Sequence, residues 1–195
     1  MKRPSVLIAG AQFGDEGKGK IVDLLVQKGD LDVVVRFNGG ANAGHTIVLD
    51  DGKYPLHLIP SGILHKETIN IIAAGVVLDP LFLVKEIENL KTRNISCDNL
   101  FISDRAHMVM PWHRALDAAQ GGRLGTTAKG IGPTYEDRAG RRGIRVGDMI
   151  DENGQIDLEH FSQRVREVCA EKNNLFQKVH NLEPLDPEAI IKEFV

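Results

Sequence analysis

Residues 6–29 read Val6-Leu7-Ile8-Ala9-Gly10-Ala11-Gln12-Phe13-Gly14-Asp15-Glu16-Gly17-Lys18-Gly19-Lys20-Ile21-Val22-Asp23-Leu24-Leu25-Val26-Gln27-Lys28-Gly29. Val6 to Ala9 is a short apolar run ending at Gly10, the pattern of a buried parallel strand entering a tight turn. From Gly17 to Lys28, residues Ile21, Leu24, Leu25 and Lys28 recur at helical spacing, and Gly29 suits a C-cap. The predicted order is strand, glycine-rich turn, helix. Glycines in such a turn let successive N–H groups converge on an anion, the helix N-terminus adds a partial positive charge, and Lys18 adds a full one. The spacing departs from the usual P-loop. Six residues separate Gly10 from Gly17, and Gly19 stands where a Ser or Thr would ligate Mg²⁺. Asp15 can take over that role, because a hard cation bridging phosphates needs oxygen ligands. The stretch therefore predicts a phosphate site suited to metal-assisted phosphoryl transfer.

Outward from this unit, Leu31 to Phe37 reads as a second strand. The run Asn38-Gly39-Gly40-Ala41-Asn42-Ala43-Gly44-His45 is too rich in Gly and Asn for a regular element and reads as a loop. Thr46 to Leu49 and Tyr54 to Leu58 flank Asp50-Asp51-Gly52, a hairpin signal. Thr68 to Ala73 predicts a further strand. Asp79-Pro80 provides an N-cap and an N1 proline for a helix to about Arg93, and Leu100 to Ser103 follows as a strand. Residues 120–148 read as loop, and 157–180 as an amphipathic helix. Strands alternating with helices predict an α/β fold with a mostly parallel central sheet flanked by helices and a small helical portion toward the C-terminus.

With 195 residues, 42% hydrophobic and 26% charged, the chain has a globular balance and is read as one domain. A net charge of -3 gives no general reason to expect nucleic acid or an anionic membrane as partner. Cys97 and Cys169 are far apart and in no metal-ligand spacing, which fits a reducing compartment. No signal peptide or membrane span is apparent at the start, so a cytoplasmic location is expected. His45 differs from the other histidines by its glycine-rich loop, where an imidazole titrating near neutrality could donate to phosphate or to a developing oxyanion. His57, His65, His107, His113, His160 and His180 read as ordinary core or surface residues. Between 123 and 145, six cations (Arg123, Lys129, Arg138, Arg141, Arg142, Arg145) face two anions, Glu136 and Asp137. Gly125-Thr126-Thr127 and Gly130-Ile131-Gly132-Pro133 add hydroxyls and exposed N–H groups, making a second anion cradle.

The runs Gly14 to Lys20, Asn42-Ala43-Gly44-His45-Thr46, Gly125-Thr126-Thr127, Gly130 to Pro133 and Arg141-Arg142-Gly143, in this order, resemble adenylosuccinate synthetase. Leu56 to Leu64 is similar too, so the resemblance covers essentially the whole chain. It implies GTP- and Mg²⁺-dependent joining of IMP and L-aspartate to adenylosuccinate through 6-phosphoryl-IMP, on the route to AMP. By this resemblance the catalytic residues are Asp15, as base toward N1 of the hypoxanthine, His45 and Lys18. The GTP contacts implied are Gly14, Asp15, Glu16, Gly17, Lys18, Gly19 and Lys20, with Gly44, His45 and Thr46. The IMP contacts are Asp15, Glu16, Gly17, Lys18, Asn42, Ala43, Gly44, His45, Thr127 and Arg141. Mg²⁺ would be held by Asp15 and Gly44. Arg141 resembles an arginine lent across a two-fold interface, which implies a homodimer. The chain departs from the family in being shorter between Trp112 and Gly125 and in ending at Val195, in a helix begun by Asp186-Pro187. The family's guanine-reading and aspartate-holding segments are not in it. Residues 1–195 are thus expected to be the N-terminal part of one catalytic domain, with the C-terminal half absent and no activity alone. Two other readings stay open: a non-catalytic nucleotide- or phosphate-binding module, and a generic P-loop NTPase, which the missing hydroxyl after Lys18 disfavours.

Overall fold

In chain order the elements are α1 (Lys18–Gln27), β1 (Val33–Arg36), β2 (His45–Leu49), β3 (Gly52–Leu56), β4 (Ile69–Ile72), β5 (Val77–Leu78), α2 (Pro80–Thr92), β6 (Leu100–Ile102), β7 (His107–Met108), α3 (Pro111–Leu124), α4 (Ile131–Ala139), α5 (Leu158–Leu175) and α6 (Pro187–Phe194). The computed structural model describes residues 5–12, 16–29, 31–49, 52–124 and 126–194. They form two compact units, Met1–Val76 with Phe82–Ser103, and Val77–Leu81 with Asp104–Val195.

The first unit is built on a parallel sheet in the order β1-β4-β6, with Val33 opposite Ile69 and Ile71 opposite Phe101. Period-two alternation sends Val34, Asn70 and Ile72 inward, while Val33, Val35, Ile69 and Phe101 stand exposed on the other face. The predicted hairpin is present: β2 pairs antiparallel with β3, with His45 opposite Leu56. Its turn residues 50 and 51 lie outside the described residues. The predicted helix after Asp79 is α2, and it buries Leu83, Glu86 and Leu90.

Two expectations at the N-terminus are corrected. Residues 5–10 form no strand, and Val6 and Leu7 are 51% and 75% exposed. An apolar run becomes a strand only where a neighbour offers a ladder, and Val6 to Ala9 has none among the described residues. The helix itself forms with the expected ends: Gly17 and Gly29 are both left-handed, at φ 76° and 71°. Its buried face, however, is not the predicted stripe. Asp23 and Val26 are buried against β2 and the 3-10 turn Ser61–Leu64, whereas Ile21 and Leu24 stay 46% and 44% exposed. Asp23 lies two residues past Ile21, about 200° round the helix, so the two faces are opposite. The buried carboxylate is satisfied by His65 at 2.8 Å and Gln27 at 3.2 Å, which outweighs the apolar pattern locally.

The second unit carries the larger correction. Most of 120–148, read as loop, is helical: α3 runs to Leu124, α4 spans Ile131–Ala139, and Val146–Met149 is a 3-10 turn. Pro133 misleads the reading, because it falls in the first turn of α4, where the missing N–H and fixed φ cost nothing. α4 then buries Pro133, Thr134 and Asp137 on one side. The predicted amphipathic helix is α5, capped by Asp157 through the His160 N–H at 2.9 Å and continued as a π-turn over Phe176–His180. Phe161, Val165, Val168, Cys169 and Phe176 pack with Met110, Trp112, Ile144 and Ile190 into one core.

Within that core α3, α4 and α5 meet at buried charged groups. Burial alone would raise the Asp137 carboxyl, but hydrogen bonds from His113 and Lys172 outweigh it and hold the pKa below the ordinary 3.8. Burial depresses the His113 pKa below 6.5, against the opposing pull of Asp137, so the ring is neutral at pH 7. The sign for stability follows. Below about 6.5 the unfolded chain takes up a proton that the buried ring refuses, and further down Asp137's contribution is lost as pH falls through its depressed folded value. The unfolding free energy from urea titration, followed through the fluorescence of the sole tryptophan, Trp112, should therefore fall between pH 6.5 and 5, by up to about 1.4 kcal/mol per pH unit, and the midpoint with it. A midpoint flat across that interval would show that His113 is not held neutral by burial.

Candidate active site

The phosphate loop closes on itself. Glu16 accepts the Gln12 N–H at 3.0 Å, and its other oxygen binds the Lys18 ammonium. The Lys18 contact, followed by main-chain donors, lowers the Glu16 pKa to about 2. A Cβ at Gly10 would lie 2.2 Å from Glu16 Oε1 and 2.7 Å from Lys18 Nζ, so a larger residue there would displace the ends of these two side chains. Gly14 and Asp15, with Phe13, lie outside the described residues.

The second loop is organised by Arg36, at the end of β1, whose guanidinium donates to the carbonyls of Gly40 at 2.7 Å and Asn38 at 3.4 Å. Ala41 is buried, while Asn42, Ala43 and Gly44 are exposed. His45 is the first residue of β2 rather than a loop residue. Its ring seats on α1 at Gly19, where a Cβ would come within 2.7 Å of His45 Cδ2. Nε2 is buried with no hydrogen-bond partner among the described residues. Burial first, then the charges of Arg36 and His57, lower the His45 pKa to about 4. The expectation of a ring titrating near neutrality is thereby corrected: His45 is a neutral imidazole at pH 7, able to donate one N–H without first losing a proton.

His57 and Arg36 are the residues that sequence reasoning missed. The His57 ring lies under Gly44, 3.0 Å from where a Cβ would be, and meets Phe82 edge-on at 5.2 Å. Its main-chain N–H and that of Leu58 donate to Glu86 of α2 at 2.5 and 3.0 Å. A cation closing a buried strand just before a glycine-rich loop was the available signal for Arg36. His57 had none, since its role depends on a hairpin pairing.

In the second unit, Thr127 and Arg141 sit at opposite ends of α4. Ala128 (φ 53°) and Gly130 (φ 75°) turn the chain into the helix, and the Gly130 N–H donates to buried Asp117 at 2.7 Å. A Cβ at Gly130 would lie 3.0 Å from the backbone of His113 and Arg114, which fixes glycine there. Arg141, left-handed at φ 58°, follows the helix and is exposed. The first unit thus joins Glu16, Lys18, Gly19, Gly44 and His45, and in the second Thr127 precedes α4 and Arg141 follows it.

Among the described residues no group of three His, Cys, Asp or Glu side chains could hold a metal ion alone. A cation taking most of its oxygens from phosphates and water needs only one or two protein ligands, and beside Gly44 the buried His45 Nε2 has no hydrogen-bond partner among the described residues. No helix among the described residues is long and apolar enough to cross a membrane.

Comparison with known proteins agrees with this layout. The family profile of adenylosuccinate synthetase matches residues 7–195. An adenylosuccinate synthetase of Desulforamulus reducens is 46% identical over 195 residues, covering 97% of this chain and 44% of that protein. The structure of the fully ligated adenylosuccinate synthetase from Plasmodium falciparum superposes with a TM-score of 0.79 at 36% identity, over 95% of this chain and 42% of that one. A cyanophage S-2L succinoaminodeoxyadenylate synthetase, bound to dGMP and to dATP as energy donor, reaches a TM-score of 0.56 at 29% identity over 67% of this chain and 36% of its own. The chain spans less than half the length of these relatives. With the glycine-rich loop, the His45 seat and the α4 cradle all inside a match that runs from residue 7 to residue 195, this chain belongs to the adenylosuccinate synthetase family.

Proposed function

We propose that a family-length protein carrying this chain joins IMP and L-aspartate to adenylosuccinate at the expense of GTP, as a homodimer. Asp15 takes the N1 proton of the hypoxanthine, and O6 attacks the γ-phosphorus of GTP, releasing GDP. The aspartate amine then adds at C6 and displaces inorganic phosphate. The observation that carries this reading is the seat of His45: a neutral ring against Gly19 of α1, with a buried ring nitrogen that has no hydrogen-bond partner among the described residues. Such a nitrogen suits a fixed hydrogen bond to charge developing on O6 and the transferring phosphoryl group. Lys18, engaged by Glu16 in this structure, would exchange that carboxylate for a phosphate, an equal charge with more oxygens. Asp15 and the Gly44 carbonyl would hold Mg²⁺, which when bound neutralises charge on the phosphates. Asn42 and Thr127 contact IMP.

Arg141 is assigned to the IMP bound by the neighbouring subunit. Arg141→Leu should raise the KM for IMP by at least about tenfold, or ~1.4 kcal/mol, and leave that for GTP within about threefold, since one charge-assisted phosphate contact is lost. Mixing it with an Asp15→Asn variant should restore activity through hybrid dimers with one intact site. No recovery after demonstrated subunit exchange would refute the shared site.

A further inference from the structure

We propose that the buried cluster Asp137–Lys172–His113 is a positioning device for Arg141, an inference that rests on the reading of Arg141 as an IMP contact. Asp137 on α4 is 1% exposed. One carboxylate oxygen accepts Lys172 Nζ of α5 at 2.5 Å and the other the His113 ring of α3 at 2.9 Å. His113 Nδ1 accepts the Met110 N–H at 2.9 Å, while Nε2 lies 2.9 Å from Asp137 and 3.0 Å from the indole nitrogen of Trp112, so both ring nitrogens are engaged. Three helices are thereby tied to one side chain.

The main chain of the same residue holds the turn that follows. The Asp137 carbonyl accepts the N–H groups of Arg142 at 2.9 Å and Gly143 at 3.3 Å, and Arg141 N–H donates to Arg138 at 3.2 Å. This is a Schellman ending in which Arg141 occupies the left-handed position that glycine favours. Gly140 stands one residue earlier, in ordinary helical conformation at φ -75°. A bulky residue held where glycine would be unstrained must be over-determined by its surroundings, and such strain gathers at functional sites. Arg142, next along, has its guanidinium 3.9 Å from both Asp137 and Glu171. Gly143 is packed so that a Cβ would meet His107 at 2.7 Å. The Arg141 side chain is exposed, on a turn fixed by its own N–H and by those of Arg142 and Gly143.

Buried charge clusters often contribute little net stability compared with apolar packing, and in some proteins they serve instead to specify one geometry. Here the geometry imposed is the end of α4. Asp137, Lys172 and His113 act through Arg141 and are positioning residues.

The test is the double variant Lys172→Met with Asp137→Asn, which removes both charges together and leaves no unpaired buried ion. In the 195-residue chain, hydrogen exchange at the Arg142 and Gly143 amides should accelerate at least tenfold while the middle of α5 remains protected. In a family-length protein the KM for IMP should rise by about the factor seen for Arg141→Leu, with kcat and the KM for GTP within threefold. Adding Arg141→Leu to the double variant should then change little, because both remove one contact. Unchanged exchange at the two amides, or an unchanged KM for IMP in a folded double variant where Arg141→Leu raises it, would overturn the proposal. Should the double variant not fold, Lys172→Gln, which keeps a donor to Asp137, is expected to show the same changes at three- to tenfold, and their absence there is equally decisive. If Arg141→Leu itself leaves the KM for IMP unchanged, the IMP assignment fails, while amide exchange still decides whether the cluster holds the turn.

Discussion

Asp15→Asn should lower adenylosuccinate formation by about a thousandfold in a family-length protein carrying this chain, while circular dichroism and the unfolding midpoint stay unchanged. The amide keeps the carboxylate's shape but cannot take the N1 proton, and a positioned general base contributes about a hundred- to ten-thousandfold. It also loses the anionic oxygen assigned to Mg²⁺, which adds to the loss rather than replacing it. Steady-state assays with IMP, aspartate, GTP and Mg²⁺ read the effect directly. Activity within about tenfold of the parent, a difference of only ~1.4 kcal/mol in the barrier, would remove Asp15 from the role of base.

Phe161→Ala should destabilise the second unit by about 3–5 kcal/mol, the usual cost of emptying a buried aromatic site. Phe161 is fully buried at the start of α5, its ring 6.0 Å from that of Phe194, in the core that includes Trp112, Ile144 and Val165. A loss of that size is a large part of a typical domain's 5–15 kcal/mol, so the urea midpoint read by Trp112 fluorescence should fall well below that of the parent. A loss under about 1 kcal/mol would mean that α5 does not close this core.

Much of the architecture was legible in local pattern. The β2–β3 hairpin announced itself through Asp51-Gly52 between alternating apolar runs, α2 through Asp79-Pro80, α5 through its apolar stripe, and α1 through its flanking glycines, each a signal carried within a few neighbouring residues. The glycine-rich turns were legible for the same reason, since left-handed and close-packed positions favour glycine. What remained open was everything that depends on a partner distant in sequence. Val6 to Ala9 has strand composition but, among the described residues, no ladder; α1 turns Asp23 rather than Ile21 and Leu24 inward because His65 waits 42 residues away; and α4 hides in a glycine- and proline-rich stretch because the groups it meets, Asp117, His113 and Lys172, lie elsewhere in the sequence. The chemistry of His45 was likewise undecided by its neighbours: only the fold brings Gly19, Arg36 and His57 around it, and burial first, then the charges of Arg36 and His57, make the ring neutral. Residue type and spacing determine which groups can turn, cap or bind; which face is buried, and therefore which charge survives, is set by the dielectric and the partners that tertiary packing supplies.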